Sequence, residues 1–195
     1  MTRERIVLAA AEAFDQRGYL GVNLKDVVDQ IGLTKGALYY FFPTKEDLAV
    51  EIVNRHYSAL VPIAREALTT SDNKLDALVE MTYRAARIAE SDPIARAGTR
   101  LSMERNLIRA ELPRPFELGI GGTTRLLEMA KSAGQVRADV DPAATAEVLM
   151  AFFFGAHSIS RMDARTDLVT RLEQFWLLFL PALRPILELS GNLET

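Results

Sequence analysis

The sequence predicts an all-α protein with a small N-terminal three-helix domain and a larger helical domain behind it. Three observations support this prediction. No segment shows the alternating apolar and polar residues, bounded by turn signals, that indicate a strand. Apolar residues instead recur at helical spacing, as at Leu24, Val27, Val28 and Ile31. Glycine, proline and helix-capping side chains separate the periodic segments.

The composition excludes several classes of protein. The chain has 195 residues, 49% of them hydrophobic, so it can bury a core. It has no cysteine, which excludes disulfides and cysteine-based zinc sites. The N-terminus lacks the apolar stretch of a signal peptide, and the strongest apolar runs, residues 149–154 and 175–180, are far shorter than the ~20 residues of a membrane span. We therefore expect a cytoplasmic protein with no membrane partner.

The charge does not favour nucleic acid by itself. The net charge is -3, and residues 1–50 carry six Lys or Arg against seven Asp or Glu, which gives -1. DNA-binding domains usually have a basic excess. Any DNA-binding function must therefore depend on where the charges lie.

The first three helices have clear boundaries in the sequence. Helix one ends at Gly18, and Asn23 is expected to cap helix two, with Asp26 completing a capping-box pattern. Gly32 suits the left-handed residue that ends helix two. Thr34 is expected to cap helix three, which runs from residue 35 to about residue 42.

The later helices follow from the same signals. Thr44 with Asp47 forms a second capping box at the start of a long helix, bent at Pro62. Asp92 caps the sixth helix, and residues 112–122 are predicted to be irregular because they contain several glycines and prolines. Pro181 and Pro185 are predicted to interrupt the tail of the last helix. The expected ranges are 45–68, 74–90, 93–105, 123–134, 142–162 and a last helix capped by Thr166.

Helices two and three form a helix-turn-helix, in which the second helix enters the major groove. Leu38 and Phe42 supply its buried side, so Tyr39 and Tyr40 are expected to be exposed. The alternative is that the whole aromatic run belongs to the core. Four consecutive residues cover the full circumference of a short helix, which favours exposure of some of them. The candidate DNA-binding residues are Asn23, Lys25, Thr34, Lys35, Gly36, Tyr39, Tyr40, Thr44 and Lys45.

At this point the sequence resembles the tetracycline-repressor (TetR) family. The likeness is carried by residues 27–48, which include Gly32-Leu33-Thr34-Lys35-Gly36-Ala37-Leu38-Tyr39-Tyr40. It implies a DNA-binding domain at residues 1–47, a ligand-binding and dimerisation domain at 48–195, and a homodimeric repressor that leaves operator DNA when a small molecule binds. Phe41 stands where the family usually has histidine.

A narrower likeness is to the γ-butyrolactone receptors of actinomycetes, which control antibiotic production. It is carried by residues 92–101, by Leu112-Pro113-Arg114-Pro115-Phe116 and by Trp176. Those receptors usually have a pocket tryptophan shortly after the Pro-Phe pair, whereas Gly119 and its neighbours occupy that place here. This departure predicts an effector that is bulkier than a simple butyrolactone or differently shaped.

The candidate effector site lies in the second domain, where the resemblance implies a pocket. His56 and Tyr83 are the expected polar anchors. The candidate lining residues, expected to face inward, are His56, Thr82, Tyr83, Arg87, Met103, Met150 and Phe153.

The apolar runs 149–154 and 175–180 need cover on every side, which predicts a four-helix interface with a second copy. His157, which follows the first run, is expected in that interface or in the core. No catalytic constellation, metal site or cofactor is expected. The alternatives are a helical enzyme, which has no residues to support it, and a small-molecule carrier or interaction protein without DNA binding.

Overall fold

A computed structural model describes residues 2–162 and 166–185, and all the regular structure in these ranges is helical. A 3₁₀ turn, Arg105–Leu107, follows the sixth helix. The helices are α1 Thr2–Arg17, α2 Leu24–Gln30, α3 Lys35–Phe41, α4 Lys45–Thr69, α5 Lys74–Ser91, α6 Pro93–Met103, α7 Pro115–Ser132, α8 Pro142–Met162 and α9 Leu168–Leu183.

Most of the predicted helix ends are confirmed. The side chain of Asn23 accepts from Lys25 N, that of Thr34 from Ala37 N and that of Asp92 from Ile94 N. At the start of α4, Thr44 N donates to Asp47 Oδ2 and Asp47 N donates to Thr44 Oγ1, both at 3.0 Å. These bonds satisfy backbone donors that a helix start leaves without a partner.

Three predicted boundaries are wrong, all in the second half of the chain. The last helix is capped by Asp167, whose side chain accepts from Thr170 N, and not by Thr166. Pro181 lies inside α9 and does not interrupt it. Residues 112–122 are not irregular throughout, because α7 already begins at Pro115.

Buried side chains farther along α7 compensate for its glycines. A Cβ on Gly119 would lie 2.7 Å from Cε of Met150, so a larger residue there would have to displace the flexible end of the Met150 side chain. Farther along α7, Leu126, Leu127 and Ala130 are fully buried. Their burial offsets the roughly 1 kcal/mol that each glycine costs in a helix.

The chain divides into two compact units, whose bounds differ from the division at residue 47 that the family resemblance implied. The first unit contains residues 1–65 and 84–118, and the second contains 66–83 and 119–195. In the first unit, α1 packs against α2, α3 and α6. Its core includes Phe14, Val28, Leu38, Ile52 and Leu101, so α6 shares one core with the helix-turn-helix.

In the second unit, α8 packs against α9. His157 is buried, in agreement with the expected core or interface position. Within the described ranges, α8 is the one helix that is long and apolar enough to cross a membrane by length and composition, with 21 residues of which little is buried. A helix that packs within the protein on one side and against a second copy on the other has a similar composition. Length and composition therefore do not decide between a membrane span and a dimer interface.

Candidate DNA-binding surface and effector site

The turn between α2 and α3 has the geometry of a helix-turn-helix. Gly32 takes φ +67°, a left-handed conformation that favours glycine. Leu33 N then donates to Val28 O at 2.9 Å, which closes the end of α2. Thr34 follows in an extended conformation and caps α3. The turn therefore joins the two helices through four residues, with the left-handed Gly32 and the capping Thr34 that the sequence predicted.

The third helix is anchored on one side and open on the other. Leu38 is fully buried and Phe42 is 3% exposed, which confirms the predicted buried side. Tyr39 is 49% exposed and Tyr40 is 81% exposed, so the interpretation of the aromatic run as core is wrong for these two. Phe41, between them and Phe42, is half-buried.

The nine predicted DNA-binding residues lie in the first unit, on α2, on α3 and at the start of α4. Eight of them are exposed and Lys45 is half-buried. The eight exposed residues are Asn23, Lys25, Thr34, Lys35, Gly36, Tyr39, Tyr40 and Thr44. The structure thus brings together a polar and aromatic surface around the exposed side of α3.

Lys45 makes a contact that the sequence did not predict. Its Nζ lies 4.4 Å from the ring centroid of Tyr19, and the Tyr19 hydroxyl donates to Glu46 Oε1 at 2.8 Å. Burial lowers the pKa of the Lys45 ammonium, although Glu46 opposes the shift. Burial and Glu46 both raise the pKa of Tyr19. Tyr19 therefore holds the first residues of α4 against the end of α1.

The N-terminal arginines are used within the protein. Arg3 pairs with Glu51 at 2.8 Å, and Arg55 pairs with Glu51 at 2.7 Å and with Glu4 at 2.6 Å. Arg5 donates to Ile31 O at 2.6 Å, which satisfies a carbonyl at the end of α2. These bonds join α1 to α2 and α4, so Arg3, Arg5 and Arg55 are engaged within the protein.

Charged side chains of α6 hold the end of α1. Arg96 Nε donates to Asp15 Oδ2 at 2.8 Å, and Arg100 Nη1 donates to Asp15 O at 2.7 Å. Glu104 accepts from Tyr19 N at 2.6 Å through Oε2 and from Arg100 Nε at 3.0 Å through Oε1. Charge-assisted hydrogen bonds of this kind are stronger than neutral ones. Displacement of α6 would therefore strain the end of α1.

A buried polar seam joins α6 to α4. Ser102 Oγ donates to Gly98 O at 2.7 Å, so the proton in its 3.1 Å contact with Tyr57 comes from the tyrosine. Burial raises the pKa of Tyr57 to about 12. Thr99 likewise donates to Ala95 O at 2.9 Å, so its 3.4 Å contact with His56 requires a proton on Nε2 of the imidazole.

The seven predicted effector residues divide between the two units. His56, Arg87 and Met103 belong to the first, whereas Thr82, Tyr83, Met150 and Phe153 belong to the second. His56 and Thr82 are buried, and Tyr83, Met150 and Phe153 are half-buried. Arg87 and Met103 are exposed, so the prediction that these two side chains face inward is wrong. Their shared role in one pocket stays a prediction.

Thr82 is already engaged by a partner that the sequence did not indicate. Trp176 Nε1 donates to Thr82 Oγ1 at 2.8 Å, and this hydroxyl donates in turn to Val79 O at 2.7 Å. Both side chains are buried. The hydroxyl proton is therefore not available to a ligand. The sequence indicated only that the indole N–H of Trp176, if buried, would need an acceptor, and did not indicate which residue supplies it.

The second unit carries an exposed apolar surface on α8 and α9. Leu177 and Leu178 are 77% and 80% exposed, and Ile159 on α8 is 50% exposed. A groove of about 500 Å³ runs between the two helices. Its lining includes Phe152, Gly155, Ile159, Gln174, Phe175 and Leu178. Contiguous exposed apolar surface of this kind marks an interaction site.

Two families of known sequences match this chain. Residues 6–52 match the bacterial regulatory proteins of the tetR family. Residues 72–185 match the tetracyclin repressor-like C-terminal domain. The two matches cover the helix-turn-helix and most of the chain beyond α4.

Individual relatives agree with these matches. The A-factor receptor protein of Streptomyces griseus is 33% identical over 183 residues, which are 93% of this chain and 63% of the receptor. This chain thus spans less than two thirds of that relative's length. A solved structure that concerns control of antibiotic production by bacterial hormones is 41% identical, with a TM-score of 0.83 and coverage of 94% and 98% of the two chains. CprB of Streptomyces coelicolor, solved with its operator sequence, is 32% identical, with a TM-score of 0.81 and coverage of 95% and 89%.

Proposed function

The chain belongs to the TetR family of bacterial transcriptional regulators, and we propose that it is a repressor that binds operator DNA as a homodimer and leaves it when a small molecule binds. The relatives are regulators and not enzymes. A protein that acts on chromosomal DNA works in the cytoplasm, which agrees with the absence of cysteine.

The observation that carries the proposal is the exposed side of α3. Tyr39 and Tyr40 are exposed although they are large aromatic residues, while Leu38 and Phe42 fix the helix in the core. Tyrosine hydroxyls bind phosphate oxygens, and the rings contact thymine methyl groups in the major groove. Lys35 and Gly36 at the start of the same helix supply a cation and a close backbone approach. A carrier or interaction protein would not need this surface.

The homodimer is supported by the exposed faces of α8 and α9. Leu177, Leu178 and Ile159 form an apolar surface that a second copy would cover. Two-fold symmetry would then place two α3 helices for neighbouring half-sites, one turn of DNA or about 34–36 Å apart in helix-turn-helix dimers.

The effector that we propose is a small apolar molecule of the γ-butyrolactone type or a bulkier relative of it. The likeness to an A-factor receptor supports this class. Residue 119 is glycine, in contact with Met150, where the usual receptors have a tryptophan close by. Tyr83 and His56 are the polar anchors to test first, because the Thr82 hydroxyl is taken by Trp176.

The DNA-binding test uses a labelled duplex from upstream of the protein's own coding sequence. We expect Tyr39→Ala to weaken binding to this duplex more than to a random duplex, because the ring contacts bases. We expect Lys45→Ala to weaken both equally and to lower the salt slope by about one unit. Arg125→Ala, an exposed cation on α7, is the matched control. Unchanged affinity in both Tyr39→Ala and Lys45→Ala would refute the assignment.

The effector test titrates lactones, furans and culture extracts against the protein–duplex complex. A hundredfold loss of DNA affinity requires about 2.7 kcal/mol of coupling between the two sites. We expect Tyr83→Phe and His56→Ala to need more effector for the same release. A compound that releases DNA equally well from the wild type and both variants would place the pocket elsewhere.

A further inference from the structure

We propose that Arg105 and Arg109, in the segment that follows α6, form a second phosphate-binding surface beside the helix-turn-helix. The inference rests on the proposed DNA-binding function and extends it to residues outside the helix-turn-helix. The partner is the sugar-phosphate backbone of the duplex, which arginine binds through its planar fork of N–H donors.

The segment is packed on the core of the DNA-binding helices. Ile108 is 6% exposed and Leu112 is 4% exposed, and both belong to the same hydrophobic cluster as Phe14 and Leu38. Arg109 follows Ile108 directly and is exposed. Arg105, on the 3₁₀ turn, is exposed as well. The buried residues thus fix the backbone while the two guanidinium groups remain in solvent.

The segment also begins next to the residues predicted to bind phosphate at the start of α4. Glu104, just before Arg105, accepts from Tyr19 N at 2.6 Å. The ring of Tyr19 lies under Nζ of Lys45, at 4.4 Å. The positive charge of Arg109 acts to lower the pKa of Tyr19, against the larger effects of burial and Glu46, so Arg109 is within electrostatic range of this phenol.

The ion pairs of the first unit support a role for these two arginines in binding a partner. Arg3, Arg55, Arg96 and Arg100 are paired with carboxylates. Within the described ranges, Arg105 and Arg109 make no salt bridge and no side-chain hydrogen bond. Residues 1–50 have a net charge of -1, so the helix-turn-helix alone offers few cations to the duplex. Exposed arginines held rigidly beside it would correct this deficit.

The experiment measures binding by fluorescence anisotropy at several salt concentrations, on the protein's own upstream duplex and on a random duplex of equal length. The variants are Arg105→Ala, Arg109→Ala, the double variant and Arg109→Lys. Arg125→Ala removes an exposed cation from the second unit and serves as the control. Lys35→Ala tests the helix-turn-helix itself. Thermal melting confirms that each variant is folded.

Each alanine substitution is expected to lower the slope of log K against log[salt] by about 0.9 on both duplexes, since one phosphate contact is lost. Between about 50 and 200 mM salt, the wild type would then lose about 3.5-fold more affinity than a single variant and about 12-fold more than the double variant. Arg109→Lys keeps the charge and should keep the slope.

Two outcomes would overturn the inference and leave the proposed function intact. One is a wild-type slope in the double variant while Lys35→Ala lowers the slope. The other is an equal effect of Arg125→Ala and Arg109→Ala, which would indicate general charge and not contact. If the wild type binds neither duplex, the proposed function fails and the inference fails with it.

Discussion

Gly98 of α6 lies so close to α4 that a single methyl group should separate the two helices. A Cβ on Gly98 would lie 2.4 Å from Cβ of His56 and 2.8 Å from its Cγ. Carbon atoms in contact are normally about 3.5–4.0 Å apart. Since a Cβ is fixed to the backbone, no change of rotamer can relieve the shorter contact. Gly98→Ala therefore requires α4 and α6 to move apart by about 1 Å.

The expected magnitude follows from two opposing effects. Overpacking a core costs about 1–3 kcal/mol, and a clash between two Cβ atoms belongs at the upper end. Glycine to alanine within a helix contributes about 1 kcal/mol in the other direction. We therefore expect Gly98→Ala to lower the free energy of unfolding by about 2 kcal/mol, or Tm by about 4–8 °C.

A matched glycine provides the control. Gly121 lies inside α7, is exposed and would have no atom within 4 Å of a Cβ. Gly121→Ala should therefore raise the free energy of unfolding by up to about 1 kcal/mol. Urea and thermal melts at one protein concentration measure both variants, because the proposed dimerisation would make Tm depend on concentration.

Substitutions of His56 test whether the clash between the two Cβ atoms causes the loss of stability. His56→Ala keeps the Cβ that makes the closest contact, so Gly98→Ala should remain destabilising in that background. His56→Gly removes the Cβ, and there Gly98→Ala should stabilise by about 1 kcal/mol, as an ordinary helix substitution does. An equal effect of Gly98→Ala in the two backgrounds would refute the reasoning.

Three further predictions concern other parts of the chain. Thr82→Val should destabilise by about 1–3 kcal/mol, because it leaves the Trp176 N–H buried without an acceptor; Thr82→Ser should cost much less in the same melt, and equal losses would contradict this. Leu178→Glu should give a monomer by light scattering while Leu20→Glu, at another exposed leucine, does not; a dimer in both would place the interface elsewhere. Gly36→Ala should leave stability unchanged or higher, because a Cβ there meets only Thr34 Oγ1 at 3.8 Å, yet weaken operator binding; unchanged binding would mean that the backbone does not approach DNA closely.

Local signals in the sequence sufficed for the first half of the chain. The caps at Asn23, Thr34 and Thr44 depend on a side chain and a backbone group only two or three residues apart. The left-handed Gly32 has the same local origin. These interactions can be predicted from sequence because both partners are adjacent in it.

Long-range packing decided what the sequence could not predict. The start of α7 was misplaced because Gly119 disfavours a helix locally, whereas the burial of Leu126 and Leu127 farther along stabilises one. The bond of Trp176 to Thr82 joins residues 94 positions apart. Which side of a helix faces the core is likewise decided by the neighbouring elements. Periodicity alone therefore predicted that Met103 faces inward, although this residue is 47% exposed.

The chain contains one tryptophan, Trp176, and its indole is buried and hydrogen-bonded within the second unit. When it is excited at wavelengths that tyrosine does not absorb, its emission is therefore an intrinsic probe that reports on α9 and not on the helix-turn-helix. Leu177 and Leu178 follow it directly on the exposed side of α9. The proposed self-association and effector binding can thus be tested on the unmodified protein, without a dye, and told apart from binding of DNA.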